Sequence, residues 1–416
     1  MTVECLPGST ADAGAAAVRD VFRGLPDRYL GAGSGFDHTW HVRLGDVGQT
    51  WEVRCTPQRA RVRLGASRRP DVTIATDAAT WLRLRAGETN AVEAFSSRRL
   101  SVRGDLDLAL GFDGLFRLPG GRPPLLRVHD VQTGGLRIST VTMGSGPDVL
   151  LLHGLGAGKS SFLDTAAALS GSYRVHALDL PGFGRSSKPA RAGYGAPFFA
   201  RAVLGAMDAL GIECAHLVGN SMGGRVAIEL ALARPERVGG LALLCPAVAF
   251  VRRGWHPLVR LMRPELGVLP HRLGRANVEA QFWSMFADRD LVDPSVAELA
   301  VDEFERSYGS AGARLAFLAS ARAIYLDRPF GAGGFYPRLS RLRAPALFVW
   351  GTHDQLIPAG FKRHVERWLP AAEQIVLHGC GHAPQIERPQ RTNGLVRRFL
   401  ARVDALGRPR VAARAA

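Results

Sequence analysis

The pentapeptide Gly219-Asn-Ser221-Met-Gly223 constrains the fold of this chain more than any other stretch. The apolar residues 215–218 before it predict a short buried strand, and residues 225–233 after it predict a helix. A serine at a tight strand-to-helix turn projects its hydroxyl into open space, and glycines two positions away on either side avoid collisions with neighbouring backbone. We therefore expect Ser221 to be a nucleophile.

Two later residues supply the base and the acid that a serine nucleophile requires. Histidine is the usual base because its pKa lies near neutrality, and a carboxylate then holds the imidazole in one tautomer. The apolar runs 346–350 and 374–377 predict two strands; Asp354 follows the first run and His382 follows the second. We therefore predict a catalytic triad of Ser221, Asp354 and His382. The competing candidates are His353, His378 and Asp327, and the two histidines are expected to be packing or surface residues.

The oxyanion that forms during acyl transfer needs preorganised hydrogen-bond donors. One is expected to be the backbone N–H of Met222, directly after the nucleophile. The other is expected to be the N–H of Leu155, in the loop that follows a predicted strand at 149–153. The glycines that these turns require are Gly154, Gly219 and Gly223.

Two further motifs have alternative interpretations. Residues 156–160 look like a phosphate-binding loop, but the full motif requires a glycine where His153 stands. His378, Cys380 and His382 alternate like metal ligands, yet no carboxylate or second ligand pair joins them. We therefore expect no nucleotide, no metal and no cofactor.

Charge and composition limit the partners. The formal net charge is +16, and lysine occurs only at positions 159, 188 and 362, so the basic residues are almost all arginine. No zinc finger, RNA-binding signature or basic helix with interleaved aromatic residues accompanies this charge, so we expect no nucleic-acid partner. Peripheral contact with an anionic membrane is an alternative that the charge leaves open.

Targeting signals are also missing from the sequence pattern. The first residues lack the basic and apolar regions of a signal peptide, and no run of about 18 uncharged apolar residues occurs. The five cysteines are scattered and odd in number, which is typical of a reducing compartment. We therefore expect a cytoplasmic protein.

The chain is long enough for two domains. Residues 1–117 combine helical stretches with short alternating strands and predict a small α+β domain, whose sheet we expect to be antiparallel with one buried face. Residues 118–124 form a Pro/Gly-rich linker. In residues 125–248 and 342–407, strands alternate with helices, which predicts a doubly wound, mostly parallel α/β sheet.

Residues 249–341 interrupt this alternation with apolar residues at helical spacing, and they predict a helical lid inserted into the second domain. The first part of this segment carries the most one-sided charge of the chain. Its arginines are Arg252, Arg253, Arg260, Arg263, Arg272 and Arg275, against the single acidic residue Glu265. Residues 408–416 are expected to form a frayed basic tail.

The first domain carries marks of a known family, namely Asp71–Asp77, Trp81-Leu82, Asn90, Ala94-Phe95 and Leu100–Asp105. In these marks and in its order of elements, the region of residues 10–117 resembles a sterol carrier protein type 2 domain. That resemblance implies an apolar tunnel that binds a lipid or sterol. The candidate lining residues are Trp81, Leu84, Phe95, Leu106, Leu110, Phe112 and Phe116. The alternative is that they fill a small core.

The second domain carries marks of a larger family. They are His153-Gly154, Asp179-Leu-Pro-Gly-Phe-Gly-Arg-Ser186, the pentapeptide around Ser221, Trp350-Gly-Thr-His-Asp354 and Gly381-His382. Residues 125–405 resemble the lidded α/β-hydrolases, which implies a serine nucleophile rather than the aspartate of epoxide hydrolases and haloalkane dehalogenases. The elbow is similar to that of carbon–carbon bond hydrolases of aromatic ring degradation. Those enzymes usually carry a tryptophan after the catalytic histidine, where this chain has Ala383.

We therefore expect a serine hydrolase that cleaves a carboxylic ester, with a hydrophobic acyl or lipid-like substrate, through an acyl-enzyme. Three alternatives remain: a carbon–carbon bond hydrolase of the same fold, an acyltransferase, and a lipid carrier or tethering protein with an ancillary hydrolase domain.

Overall fold

The computed structural model describes residues 10–251, 256–261, 263–269 and 273–407. The chain divides into two compact units, Met1–Val128 and His129–Ala416. Three arginines of the predicted lid (Arg252, Arg253 and Arg272) and the predicted tail 408–416 lie outside the described residues. Among the described helices, none has both the length and the apolar character that crossing a membrane requires.

The first unit combines one sheet with short helices. The helices are α1 (Thr10–Arg23), α2 (Leu25–Arg28), α3 (Ala78–Ala86), α4 (Ala91–Ser96) and α5 (Leu106–Gly111). The strands are β1 (His38–Leu44), β2 (Gln49–Cys55), β3 (Ala60–Leu64), β4 (Val72–Thr76) and β5 (Leu100–Gly104). Side-chain caps determine where three helices begin: Asp77 accepts an N–H of α3, Asn90 of α4 and Asp105 of α5.

The sheet of this unit runs in the order β3-β2-β1-β4-β5. Three neighbouring pairs are antiparallel, but β1 and β4 are parallel. The prediction of an antiparallel sheet is therefore wrong at this pair. It assumed that consecutive strands are neighbours, whereas the chain leaves the edge strand β3 and returns on the far side of β1, in the same direction as β1.

Aromatic rings fill the interior of the first unit. Phe22 stacks against Trp51 and Trp81, with ring centroids 4.5 and 5.0 Å apart. Trp40 meets Phe112 edge-on at 5.6 Å. All seven predicted tunnel residues are buried. Burial is required by a lipid tunnel and by a plain core alike, so the tunnel stays a prediction.

The second unit is organised around an eight-stranded sheet. Its strands are β6 (Leu126–Thr133), β7 (Leu136–Met143), β8 (Asp148–Leu152), β9 (Arg174–Leu178), β10 (Ala215–Asn220), β11 (Val238–Leu244), β12 (Ala346–Gly351) and β13 (Glu373–Leu377). Their order is β13-β12-β11-β10-β8-β9-β7-β6. β7 is antiparallel to β9, and the pairs from β9 across to β13 are parallel. The predicted mostly parallel α/β fold is confirmed.

Helices cover this sheet and form a separate segment between β11 and β12. The helices are α6 (Leu163–Ser170), α7 (Ala196–Ala209), α8 (Met222–Ala233), α9 (His256–Leu261), α10 (Arg275–Trp283), α11 (Pro294–Tyr308), α12 (Ala311–Leu326), α13 (Phe335–Leu339), α14 (Lys362–Trp368), α15 (Pro384–Glu387) and α16 (Pro389–Ala405). Helices α9 to α13 form the segment, which we call the insertion.

Candidate active site

Ser221 lies at the turn between β10 and α8, with a backbone φ of +50°. A positive φ is strained for a residue with a side chain, so the surroundings must hold it. The Ser221 N–H donates to the carbonyl of Leu244 at 3.0 Å, and the Ser221 carbonyl accepts from the Ala247 N–H at 2.9 Å. All of β10 is buried, whereas Ser221 is half-buried. The turn therefore places a serine at the end of a rigid strand.

Close backbone packing explains the glycines of this turn. A Cβ at Gly219 would lie 2.5 Å from the carbonyl group of Gly223, and a Cβ at Gly223 would overlap the carbonyl of Leu152. A Cβ at Gly154 would lie 3.3 Å from the Ser221 Cβ. The loop after β8 is thus in close contact with the nucleophile turn, as an oxyanion loop must be.

Asp354 and His382 form a buried pair. His382 Nδ1 lies 2.7 Å from Asp354 Oδ2, and the two side chains are 6% and 0% exposed. Asp354 Oδ1 accepts the N–H groups of Leu356 and Ile357 at 2.9 and 2.8 Å. Because a carboxylate only accepts, Nδ1 carries the imidazole proton and Nε2 is left as the basic nitrogen.

Asn220 links the turn of Ser221, the predicted nucleophile, to the loop of His382, the predicted base. The Asn220 side-chain amide donates to the carbonyl of His382 and to that of Leu244, both at 3.0 Å. Asn220 therefore joins the nucleophile turn to the histidine loop. Both Ser221 and His382 are among the described residues, and their side chains form no hydrogen bond with each other. Such bonds are often long before substrate binds. The Ser221–His382 contact stays a prediction.

His153 orients the predicted oxyanion loop. Its Nε2 accepts the N–H of Leu180 at 2.8 Å, so its Nδ1 carries the proton and donates to the carbonyl of Gly154, also at 2.8 Å. The C=O and N–H of a trans peptide point in opposite directions, so the Leu155 N–H faces away from this ring. Burial lowers the pKa of His153, which keeps the ring neutral. Within the described part of the chain, neither Leu155 N–H nor Met222 N–H donates to a protein acceptor.

A buried ion pair supports the same loop. Lys159 Nζ lies 2.8 Å from Asp179 Oδ2, and the side chains are 4% and 2% exposed. Asp179 Oδ1 also accepts the Lys159 N–H at 2.8 Å. Burial alone would raise the pKa of Asp179, but the Lys159 ammonium and the hydrogen bonds lower it overall. The lysine that made residues 156–160 look like a phosphate loop is directed into the protein.

Cys245, directly after β11, is a residue of this site that sequence reasoning missed. Its φ is +44°, and its Sγ lies within 4.8 Å of a carboxylate oxygen of Asp354 and of a ring nitrogen of His382. Burial and the nearby Asp354 carboxylate raise the pKa of the thiol. A neutral thiol therefore lies beside the Asp354 and His382 side chains. The strand order could have indicated it, because β11 lies between β10 and β12 and ends at the same edge of the sheet.

The insertion contacts the histidine loop directly. The His382 N–H donates to the carbonyl of Met285 at 2.7 Å. Glu387 Oε1 accepts the N–H groups of Ala287 and Asp288 at 2.8 and 2.7 Å, and its Oε2 accepts the Gly381 N–H at 2.6 Å. These bonds tie the insertion to the loop that carries the predicted base.

Aromatic residues of the insertion approach the oxyanion loop. A Cβ at Gly156 would lie 3.1 Å from the Phe304 ring and 3.0 Å from the Phe317 ring. Tyr308 stacks on Phe304 at 5.2 Å. Near the base, Ala383 belongs to a buried apolar cluster that includes Phe282 of α10. The insertion therefore contributes apolar side chains on both sides of the site, and on the loop side it also contributes the Glu303 carboxylate, which accepts from the Ser160 hydroxyl.

The competing candidates have other positions. Asp327 Oδ2 pairs with Arg225 at 2.5 Å. His353 Nδ1 lies 2.9 Å from the Thr352 hydroxyl, and His378 is exposed. None of these residues contacts Asp354, His382 or Ser221 through a hydrogen bond in the described structure.

The fold and the polar groups at the strand ends define the class of protein, a hydrolase built on a parallel α/β sheet with a helical insertion. Residues 147–389 match the family model of the alpha/beta hydrolase fold, and residues 29–117 match that of the SCP-2 sterol transfer family. The chain therefore belongs to the alpha/beta hydrolase fold family and carries an N-terminal SCP-2 domain. Both resemblances predicted from the sequence are confirmed.

Named relatives cover the hydrolase part. A 2-hydroxymuconate semialdehyde hydrolase of Pseudomonas putida is 31% identical over 67% of this chain and 95% of its own length. The crystal structure of a bacterial membrane phospholipase A is 30% identical, with a TM-score of 0.57, over 67% of this chain and 87% of that one. A meta-cleavage product hydrolase of Pseudomonas fluorescens is 27% identical, with a TM-score of 0.55, over 66% of this chain and 97% of that one.

Proposed function

We propose that the protein is a serine hydrolase that cleaves a carboxylic ester with a hydrophobic acyl group. The observation that carries the proposal is the buried Asp354–His382 pair at 2.7 Å, at the sheet edge where Ser221 occupies a strained turn. Ser221 Oγ attacks the ester carbonyl while His382 Nε2 takes its proton, and Asp354 stabilises the imidazolium. The N–H groups of Leu155 and Met222 receive the oxyanion. His382 then protonates the leaving alcohol, and water hydrolyses the acyl-enzyme.

The preference for a hydrophobic acyl group is inferred from the insertion. Phe304 and Phe317 pack against Gly156, next to the proposed donor Leu155. The buried Arg314 of α12 does not supply a free cation, because it donates to the backbone carbonyls of Gly267 and Gly309, both at 2.7 Å. Apolar rings and a satisfied arginine favour an uncharged acyl chain over an acidic one.

The test is a series of p-nitrophenyl esters of increasing acyl length, with fluorophosphonate labelling of the full chain. We expect Ser221→Ala to lose labelling and to lower kcat by about 10⁴-fold or more. The exposed Ser284→Ala is the matched control and should keep both. Full activity in Ser221→Ala would end the proposal.

Carbon–carbon bond hydrolysis is the second candidate, and the Pseudomonas putida relative favours it. Ala383 speaks against it, because it stands where those enzymes usually carry a tryptophan, and here it packs with Phe282 and Phe286. The decisive measurement is loss of the visible absorbance of a 2-hydroxy-6-oxo-dienoate. A kcat/KM for that substrate about a hundredfold above the best ester would replace the ester proposal.

For the first unit we propose binding of a lipid or sterol, on the strength of the SCP-2 family match. Transfer of a fluorescent fatty acid or sterol to the full chain tests it, with saturable binding as the expected result. If Ser221→Ala keeps this binding while the wild type shows no hydrolysis of any ester, a lipid carrier is the better description. Acyl transfer would instead appear as an ester product when an alcohol acceptor is added.

A further inference from the structure

Five large aliphatic side chains between positions 261 and 273 of the insertion are exposed. They are Leu261 (78% exposed), Leu266 (57%), Val268 (50%), Leu269 (57%) and Leu273 (42%). Among the described residues, thirteen large hydrophobic side chains are exposed, and these five fall within one short stretch. Single exposed leucines are common on proteins, whereas a cluster of them marks an interaction surface.

Two arginines of α12 hydrogen-bond to the backbone of this stretch. The buried Arg314 donates through Nε to the carbonyl of Gly267 at 2.7 Å, and Arg322 donates to the carbonyl of Arg260 at 3.3 Å. Gly267 is itself buried, and a Cβ there would lie 3.1 Å from the backbone of Leu315. The backbone is therefore anchored at Gly267, while its neighbours Leu266 and Val268 are exposed. Leu266 and Val268 are therefore displayed beside an anchored backbone, and Leu261 follows the second anchored carbonyl.

The charge around these side chains is basic. Arg260 and Arg263 are exposed beside them, and Glu265 is the acidic residue of the stretch. Over positions 252–275 the sequence contains six arginines and one glutamate, although Arg275 already forms ion pairs with Glu279, Asp302 and Glu305. Aliphatic side chains interspersed with arginines are what an interfacial segment needs, because the former enter the headgroup region and the latter pair with anionic headgroups.

We propose that this docking face, formed by Leu261, Leu266, Val268, Leu269 and Leu273 with Arg260 and Arg263, binds the surface of an anionic lipid bilayer. A second copy of the chain fits less well. A symmetric dimer through this face would bring the arginines of one copy against those of the other. The inference goes beyond the proposed ester hydrolysis and does not depend on which bond the site cleaves.

The experiment is co-sedimentation of the full-length protein with extruded vesicles. One set contains phosphatidylcholine alone, and the other contains roughly 30% phosphatidylglycerol. We expect binding to the anionic vesicles that weakens as salt is raised from about 0.1 M to about 0.5 M. Leu261→Ser/Leu269→Ser and Arg260→Glu/Arg263→Glu should each lower the partition coefficient by about tenfold or more.

Matched controls lie elsewhere on the same unit. Leu406→Ser changes a leucine that is 83% exposed, and Arg397→Glu/Arg398→Glu reverses two exposed arginines of α16. The controls should bind vesicles within about twofold of the wild type. Far-UV circular dichroism and the midpoint of thermal unfolding show that each variant is folded.

Three outcomes would overturn the proposal. Wild-type binding by both docking-face variants would assign membrane affinity to another surface. Equal binding to neutral and anionic vesicles would remove the role of the arginines. A dimer in light scattering that both variants dissociate, without vesicle binding by the wild type, would assign the face to a second copy of the chain.

Discussion

The two units of the chain bury charge in different ways. In the hydrolase unit, the buried Lys159–Asp179 pair is also bonded to backbone, so that it fixes the course of two loops at the sheet edge. In the first unit, Arg85 is buried over the rings of Trp81 and Phe112 and pairs with Asp113. The first arrangement sets the direction of particular atoms, as catalysis requires. The second helps to fill an aromatic interior, where shape matters more than direction.

The largest effect that can sharpen this comparison comes from Asp354, the acid of the predicted triad. Asp354→Asn keeps the shape of the side chain but favours the wrong imidazole tautomer, so we expect kcat for esters to fall by about 10³–10⁴-fold with little change in stability. The exposed Asp290→Asn is the control. A loss smaller than about tenfold would mean that the orientation of the His382 ring by Asp354 contributes little to catalysis.

Removing the buried lysine tests the support of the oxyanion loop. Lys159→Met leaves the Asp179 carboxylate without its cation, and we expect a loss of about 3–5 kcal/mol in the free energy of unfolding of the hydrolase unit. Urea denaturation followed by residual esterase activity measures it. Lys362→Met, which removes a surface pair with Glu366 on α14, should cost at most about 0.5 kcal/mol. Equal losses of stability at the two lysines would mean that the buried Lys159–Asp179 pair does not support the oxyanion loop.

The corresponding change in the first unit is Arg85→Met, which leaves Asp113 without its cation. Because the Asp113 side chain is 12% exposed, we expect a smaller cost of about 2–3 kcal/mol, measured by tryptophan fluorescence during denaturation. The kcat/KM for a soluble ester should stay within about twofold of the wild type. Arg83→Met, on the same helix with an exposed pair to Glu88, is the control. A large loss of esterase activity in Arg85→Met would mean that catalysis in the hydrolase unit depends on the first unit.

The smallest effect concerns pH. Burial holds the pKa of His153 below its ordinary value of 6.5, so the unfolded chain binds a proton in a range where the native ring does not. This contribution to stability is present above pH 6.5 and is lost as the pH falls below it. We expect His153→Asn to reduce the acid dependence of the unfolding free energy by at most about 1.4 kcal/mol per pH unit. The exposed His353→Asn is the control.

Much of the hydrolase fold could be predicted because its strands are short apolar runs separated by helices. Asp354 and His382 were predictable for the same reason, since each follows a parallel strand and the ends of such strands meet at one edge. That their side chains pair directly at 2.7 Å could be learned only from the structure. The position of Cys245 at this edge could be inferred from the strand order, but the direction of its side chain could not, because that direction depends on its backbone angles, here a φ of +44°.

The first unit shows a different limit. The alternation of apolar residues predicted its strands, but pairing across β1 and β4 depends on where the chain returns after β3, which the pattern of a single strand does not contain. The role of His153 was hidden for a similar reason. Its hydrogen-bond partner Leu180 follows a different strand, so the bond that orients the loop links residues far apart in the sequence.

The bond between the His382 N–H and the Met285 carbonyl has a consequence for substrate traffic. Residues 285–288 make three hydrogen bonds to the loop and helix that carry the base, two of them to Glu387. Retraction of this end of the insertion would break all three and leave His382 without this support. If His382 acts as the proposed base, an entrance at this end would be open only while the base lacks this support, so hydrolysis of a bound acyl group would wait until the insertion has returned.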